Sequence, residues 1–122
     1  MNLKATREGK WYRFAVLDLG NEHWTPSTFF PQLDSAIDRV KMALSEDPVA
    51  LILIDLTALT TVDSSLITLV VQTIRLSGTG RVSVIVANPD VYSWLALLGI
   101  DRLAEIFNSE QEWREKQDDS QP

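Results

Sequence analysis

Asp63, Ser64 and Ser65 are the residues of this sequence whose types and order most directly suggest chemistry. They follow a short loop and precede an apolar segment with helical spacing, so Asp63 is placed to cap a helix and the serines to lie in its first turn. The N–H groups and the dipole at a helix N-terminus attract anions. The residues alone support two interpretations: simple helix capping, or a serine, Ser64, that accepts a phosphate.

Catalysis and cofactor binding find less support. A hydrolase built on Ser64 would need a general base, and the sequence contains a single histidine, His23. Asp55 ends an apolar segment and is expected to accept hydrogen bonds from backbone N–H groups of the following loop. The sequence has neither a Gly-rich dinucleotide motif nor a P-loop. We therefore predict no catalytic residue, no metal site and no bound cofactor.

The composition narrows the class of protein. The chain has 122 residues, of which 45% are hydrophobic, which suits one globular domain. A net charge of −6 disfavours nucleic acid and anionic membranes as partners. The absence of cysteine fits a reducing compartment, and the polar N-terminus does not resemble a secretory signal. We expect a cytoplasmic protein that does not insert into membranes.

The elements that must position these residues alternate between strands and helices. Strands are predicted at 2–7, 11–19, 49–56, 81–87 and 106–107, and helices at 31–44, 63–76, 89–98 and after Ser109. The strand at 49–56 is apolar on both faces, which is typical of the middle of a parallel sheet. The expected fold is therefore an α/β single domain over residues 1–116, with a mixed, mostly parallel sheet of about four to five strands and about four helices. Residues 117–122 are predicted to form a polar C-terminal tail.

The pattern around these residues resembles the STAS domain family, and within it the stand-alone anti-sigma factor antagonists of bacteria. An apolar strand ends in Asp55, a short loop follows, and Asp63-Ser64-Ser65 opens a helix. Further on, Asn88-Pro89 and Leu98-Gly99-Ile100 also match. The resemblance covers essentially the whole chain and implies a STAS-like fold.

The resemblance also implies a function. Ser64 would be phosphorylated by a serine kinase that doubles as the anti-sigma factor, with Asp55, Asp63 and Ser65 flanking the site. The unphosphorylated form would bind the anti-sigma factor and release the sigma factor, and a cognate phosphatase would reverse the modification. ATP and its metal would belong to the kinase.

The expected partner interface surrounds Ser64. It comprises Asn21, Glu22, Thr61, Val62, Leu66 and Leu69. The last two fall off the predicted core face of the helix, and Leu66 stands where the family usually has glycine. That leucine leaves an alternative open, a constitutive scaffold or transporter-associated binding subunit without a phosphoswitch. A homodimer is also compatible with the sequence.

Overall fold

The computed structural model describes residues 2–18, 26–48, 50–78 and 80–119. Its elements, in chain order, are β1 (Asn2–Glu8), β2 (Trp11–Asp18), α1 (Pro26–Glu46), β3 (Leu51–Asp55), α2 (Ser64–Ser77), β4 (Val82–Ile85), α3 (Pro89–Leu97), a 3-10 turn (Ile100–Arg102), β5 (Glu105–Phe107) and α4 (Glu110–Asp119). This arrangement confirms the predicted α/β fold.

The strands form one five-stranded sheet in the order β1-β2-β3-β4-β5. β1 and β2 are antiparallel, whereas β2, β3, β4 and β5 run parallel to one another. Phe14, Ile54 and Val84 lie side by side across the three central strands. All four parallel strands therefore end at the same edge of the sheet, which we call the carboxyl edge. The loop that leads from β3 to α2 lies there, together with the N-termini of α2 and α3.

The alternation of side chains along the strands divides the core into two parts. One sheet face packs against α1, α2 and α3, and its fully buried residues include Val16, Ile52, Ile54 and Val84. The other face is covered by α4. Its cluster consists of Leu53, Ile85, Phe107 and Trp113, with Trp11 packed against it. The ring centroids of the two tryptophans are 5.3 Å apart in an edge-to-face arrangement.

Asn88 and Ser109 cap the helices that follow them, α3 and α4. The Asn88 side chain accepts a hydrogen bond from the backbone N–H of Asp90 at 2.8 Å, and Ser109 accepts one from Glu112 at 3.1 Å. Gly99, after α3, has a φ of 80°, a left-handed conformation that glycine adopts without strain.

Two helix boundaries differ from the predictions by more than two residues. α1 begins at Pro26 rather than at Pro31, which we had placed in the first turn because its fixed φ suits that position. α4 continues to Asp119, so the predicted tail begins within this helix, and residues 120–122 lie outside the described part of the chain. In the part that the structure describes, no helix has both the length and the apolar character needed to cross a bilayer.

Candidate functional site

Asp63 is the N-cap of α2, as the sequence predicts. Its backbone is extended, and its carboxylate accepts hydrogen bonds from the Leu66 backbone N–H at 2.9 Å and from the Ser65 hydroxyl at 2.5 Å. These bonds satisfy an N–H group that the first helical turn would otherwise leave unpaired. Asp63 therefore fixes both the start of α2 and the orientation of Ser65.

The two serines beside this cap have different environments. Ser65 is only 4% exposed, and its hydroxyl donates to Asp63. Ser64 is the first residue of α2 and is exposed, and its backbone carbonyl accepts a hydrogen bond from the Thr68 hydroxyl at 2.8 Å. Of the pair, Ser64 alone presents its side chain to solvent, where another protein can reach it.

The electrostatics around Ser64 combine two opposing effects. The N-terminus of α2, a helix of 14 residues, favours an anion through its dipole and its unpaired N–H groups. The Asp63 carboxylate, one residue away, opposes a second negative charge. The sequence contains no Lys or Arg between Lys41 and Arg75, so the surrounding segment supplies no cation for a charge added here.

Leu66 and Leu69 do not lie where the sequence predicted. Leu66 is 0% exposed and Leu69 is 2% exposed, and both belong to the main core cluster. Ile67 and Val71 are partly buried and pack against the same cluster. The expectation that Leu66 and Leu69 fall off the core face is therefore wrong, and neither side chain is available at the surface for a partner.

Asp55 accepts hydrogen bonds from Thr57, as predicted. Its carboxylate binds the Thr57 backbone N–H at 2.9 Å and the Thr57 hydroxyl at 2.7 Å, which fixes the start of the loop between β3 and α2. Its other oxygen accepts from the Arg13 guanidinium at 2.5 Å and 3.1 Å. These contacts lie on the sheet face that α4 covers. Asp55 therefore positions the start of the loop and does not join the cluster of Asp63 and Ser65.

Arg13 connects Asp55 to α4, a role that sequence reasoning missed. Its guanidinium also pairs with Glu8, at 3.3 Å, and with Glu110 in the first turn of α4. Arg114, one helical turn further on, pairs with Glu110 and Glu8. Glu110 therefore attaches α4 to the sheet.

These contacts shift the acidity of the groups involved. Burial alone would raise the pKa of Asp55, but the hydrogen bonds from Thr57 and Arg13 together hold it below its ordinary value. The hydrogen bond from Arg13 lowers the pKa of Glu110 against a smaller opposing effect of burial, and Arg114 lowers it further. Burial would lower the pKa of Arg13, but Asp55 and Glu110 outweigh it, and the net shift is upward.

Thr61 and Val62, two of the predicted interface residues, line a surface groove at the carboxyl edge. The groove has a volume of about 430 Å³. Its lining consists of Thr60, Thr61 and Val62 from the loop and Asp90, Ser93, Trp94 and Leu97 from α3. The remaining predicted interface residues, Asn21 and Glu22, and also His23, lie outside the described residues. The contribution of α3 to this groove was not predicted from the sequence.

Comparison with known proteins assigns the chain to a family. The sequence pattern of the STAS domain matches residues 27–113, which include β3, the capped serine pair and α3. Because this match spans most of the chain, the protein belongs to the STAS domain family. No curated protein sequence gives a significant match to the chain.

Among solved structures, the fold is similar to that described as the NMR structure of the protein TM1081. The TM-score is 0.59, and the match covers 91% of this chain and 84% of the other. The two sequences are 16% identical, so this likeness concerns the fold.

Among the described residues, no group of three or more His, Cys, Asp or Glu is arranged to hold a metal ion.

Proposed function

We propose that this STAS domain is a bacterial anti-sigma factor antagonist whose binding to its partner is switched by phosphorylation of Ser64. The proposed partners are a serine kinase that also acts as the anti-sigma factor, and a phosphatase that restores the hydroxyl, all in the cytoplasm. The domain acts by binding and catalyses no reaction of its own. Membership of the family supports a protein-binding role, and the surroundings of Ser64 support the switch.

The observation that carries this proposal is the contrast between Ser64 and Ser65. A kinase must bring a hydroxyl in line with the phosphate that it transfers, so the acceptor must be exposed. Ser64 is exposed at the first position of α2, whereas Ser65 is buried and its hydroxyl is bonded to Asp63. The cap thus leaves one serine of the pair in position to accept a phosphate.

A phosphate on Ser64 would change the surface more than the fold. It adds about −1.5 to −2 charge units next to Asp63, and the helix N-terminus compensates part of that charge. Since the chain has no Lys or Arg between Lys41 and Arg75, the phosphate would remain hydrated. A partner seated over the Ser64 hydroxyl would have to desolvate this group, which is costly. Phosphorylation would therefore weaken binding without unfolding α2.

Labelling with the kinase tests the proposed site directly. We expect that incubation with ATP, Mg²⁺ and the anti-sigma kinase of the same bacterium adds one phosphate, and that peptide mass mapping places it on Ser64. Ser64→Ala should abolish the modification. Ser65→Ala is the matched control, because it removes the neighbouring hydroxyl and should leave Ser64 a substrate. Phosphate on another residue, or full labelling of Ser64→Ala, would refute the assignment.

The alternative of a constitutive binding subunit loses its main support. It depended on Leu66 as a bulky group at the rim of the site, and this side chain is fully buried. Ser64→Asp separates the two functions, since it should weaken binding of a partner in the switch mechanism and leave it unchanged in the constitutive one.

A further inference from the structure

The groove between the loop 60–62 and α3 exposes an unusual amount of apolar surface. α3 buries Val91 and Leu95 against the core. Three other large apolar side chains near its C-terminal end point outward: Trp94 is 54% exposed, Leu97 is 76% exposed and Leu98 is 51% exposed. Trp94 and Leu97 line the groove itself. Apolar groups clustered around a concavity mark interaction sites more often than isolated exposed leucines do.

The charge around this groove has one sign. Asp90 lies in its wall, and Asp63 follows Val62 of its lining loop. No Lys or Arg occurs in residues 14–38, 42–74 or 82–101, so neither the loop from β3 to α2 nor the segment from β4 through α3 supplies a positive side chain. Arg102, the first arginine after α3, lines a different depression with Gly80 and Val82, at the opposite end of β4.

We propose that this groove binds a short segment of a partner protein that carries apolar anchor residues flanked by Lys or Arg. The anchors would fill the space beside Trp94 and Leu97, and the basic residues would face Asp90 in the wall of the groove. Charge complementarity selects this occupant. A second copy of the chain would bring together two grooves that each carry Asp90, on chains of net charge −6, and an anionic membrane would be repelled by the same carboxylate. The proposal rests on the proposed function only in that the domain binds proteins, and it does not require Ser64 to be phosphorylated.

Two synthetic amphipathic peptides provide the test. Both are about 14 residues long, roughly four helical turns; one combines Leu with Lys and the other combines Leu with Glu in the same pattern. We expect the Lys peptide to shift the amide resonances of residues 60–62 and 90–98 and the indole resonance of Trp94 in two-dimensional NMR spectra. We expect its affinity to fall about tenfold when the salt concentration rises from about 0.05 M to about 0.5 M. The Glu peptide should bind at least about tenfold more weakly.

Matched variants locate the binding. Leu97→Ser and Trp94→Ala should each weaken the Lys peptide about tenfold or more, since both remove an apolar contact at the centre of the groove. Leu76→Ser is the control, because Leu76 is an exposed leucine, 42% accessible, at the other end of α2. It should change the affinity by less than about twofold. These residues are exposed, so the variants should retain the circular dichroism spectrum and unfolding midpoint of the wild type.

Several results would overturn the proposal. These are equal binding of the two peptides, resonance shifts confined to another surface, or unchanged affinity in Leu97→Ser. Binding to anionic phospholipid vesicles that is lost in Leu97→Ser would assign the groove to membranes instead. Dimerisation that is lost in Leu97→Ser, measured by analytical ultracentrifugation, would assign it to a second copy of the chain.

Ser64→Asp should not weaken binding of the Lys peptide, because Ser64 does not line the groove. Failure of the phosphoswitch and failure of this proposal are therefore distinguishable.

Discussion

Replacing Leu66 by alanine is expected to lower the free energy of unfolding by about 2–5 kcal/mol. The Leu66 side chain is fully buried in the main core cluster, although it belongs to the first turn of the helix that carries the candidate phosphorylation site. Its removal would leave a cavity in this cluster, next to the first turn of α2. Denaturant unfolding followed by circular dichroism measures the loss.

Glycine at the same position gives a sharper form of this prediction. Leu66→Gly installs the residue that the family pattern favours, yet it should cost about 1 kcal/mol more than Leu66→Ala, because glycine also weakens a helix. Leu76→Ala on the same helix is the control. Its side chain is 42% exposed, so the cost should stay below about 1 kcal/mol. If Leu66→Gly were as stable as the wild type, the packing described for α2 would be incorrect. A domain of this size has only about 5–15 kcal/mol of stability, so Leu66 contributes a large fraction of it.

Removal of the Arg13 guanidinium is expected to destabilise the domain by about 3–5 kcal/mol. The Arg13 side chain is 14% exposed and the Asp55 side chain is 8% exposed, so Arg13→Met leaves a carboxylate buried without its cation. Glu110 loses its anchor at the same time, which loosens α4 on the sheet. Arg114→Met is the matched control. Arg114 pairs with two of the same acidic residues but is 51% exposed, and exposed pairs contribute at most about 1 kcal/mol.

The pH dependence of stability follows from the same contacts. The folded-state pKa values of Asp55 and Glu110 lie below their ordinary values, so their contribution is present at neutral pH and is lost as the pH falls through the folded pKa. This contribution should be complete above about pH 5 and should decline as the pH falls below about 4. In Arg13→Met the pKa of Asp55 rises, since burial is no longer opposed by the guanidinium. The acid unfolding midpoint of this variant should therefore move to higher pH. An unchanged midpoint would show that Arg13 does not stabilise the Asp55 carboxylate.

Strong local signals made much of the fold predictable. A strand apolar on both faces, ending at Asp55, predicted the centre of a parallel sheet, and Asp63 predicted the start of α2. Both features depend on residues adjacent in sequence. The exposure of Ser64 and the burial of Ser65 could not be separated in this way, because both serines favour the first helical turn. Which of the two serines is buried depends on the side of α2 that faces the core, and only the folded structure shows this.

The buried face of α2 was assigned incorrectly for a physical reason. The helix is apolar on most sides, so hydrophobicity alone does not identify the side that faces the sheet. Thr73 and Ser77 lie on the buried face although they are polar; the Thr73 hydroxyl donates to the Leu69 carbonyl at 2.7 Å, one helical turn earlier. That bond satisfies the hydroxyl within the helix and lets threonine occupy the core. Leu66 and Leu69 share this face and were placed at the surface in error.

The Arg13 contacts and the groove depend on tertiary geometry. Arg13 meets Asp55 and Glu110 across 42 and 97 residues of sequence. The register of β2 against β3 brings it to Asp55, and the packing of α4 on the sheet brings it to Glu110. A charged residue within a largely apolar strand was the available signal, but it does not identify its partner. The groove likewise required the position of α3 relative to the loop after β3. Trp94 and Leu97 are residue types expected on a core-facing side of a helix. Only the folded structure shows that they are exposed.

The central claim is that phosphorylation of Ser64 releases the partner, and one affinity measurement tests it most directly. The anti-sigma kinase that labels the chain would be titrated by calorimetry, without ATP, against the unphosphorylated protein and the protein phosphorylated on Ser64. We predict an affinity about 100-fold weaker for the phosphorylated protein, or roughly 2.7 kcal/mol, with Ser64→Asp changed in the same direction. Ser65→Ala should bind like the wild type. Equal affinities of the phosphorylated and unphosphorylated forms would contradict the switch.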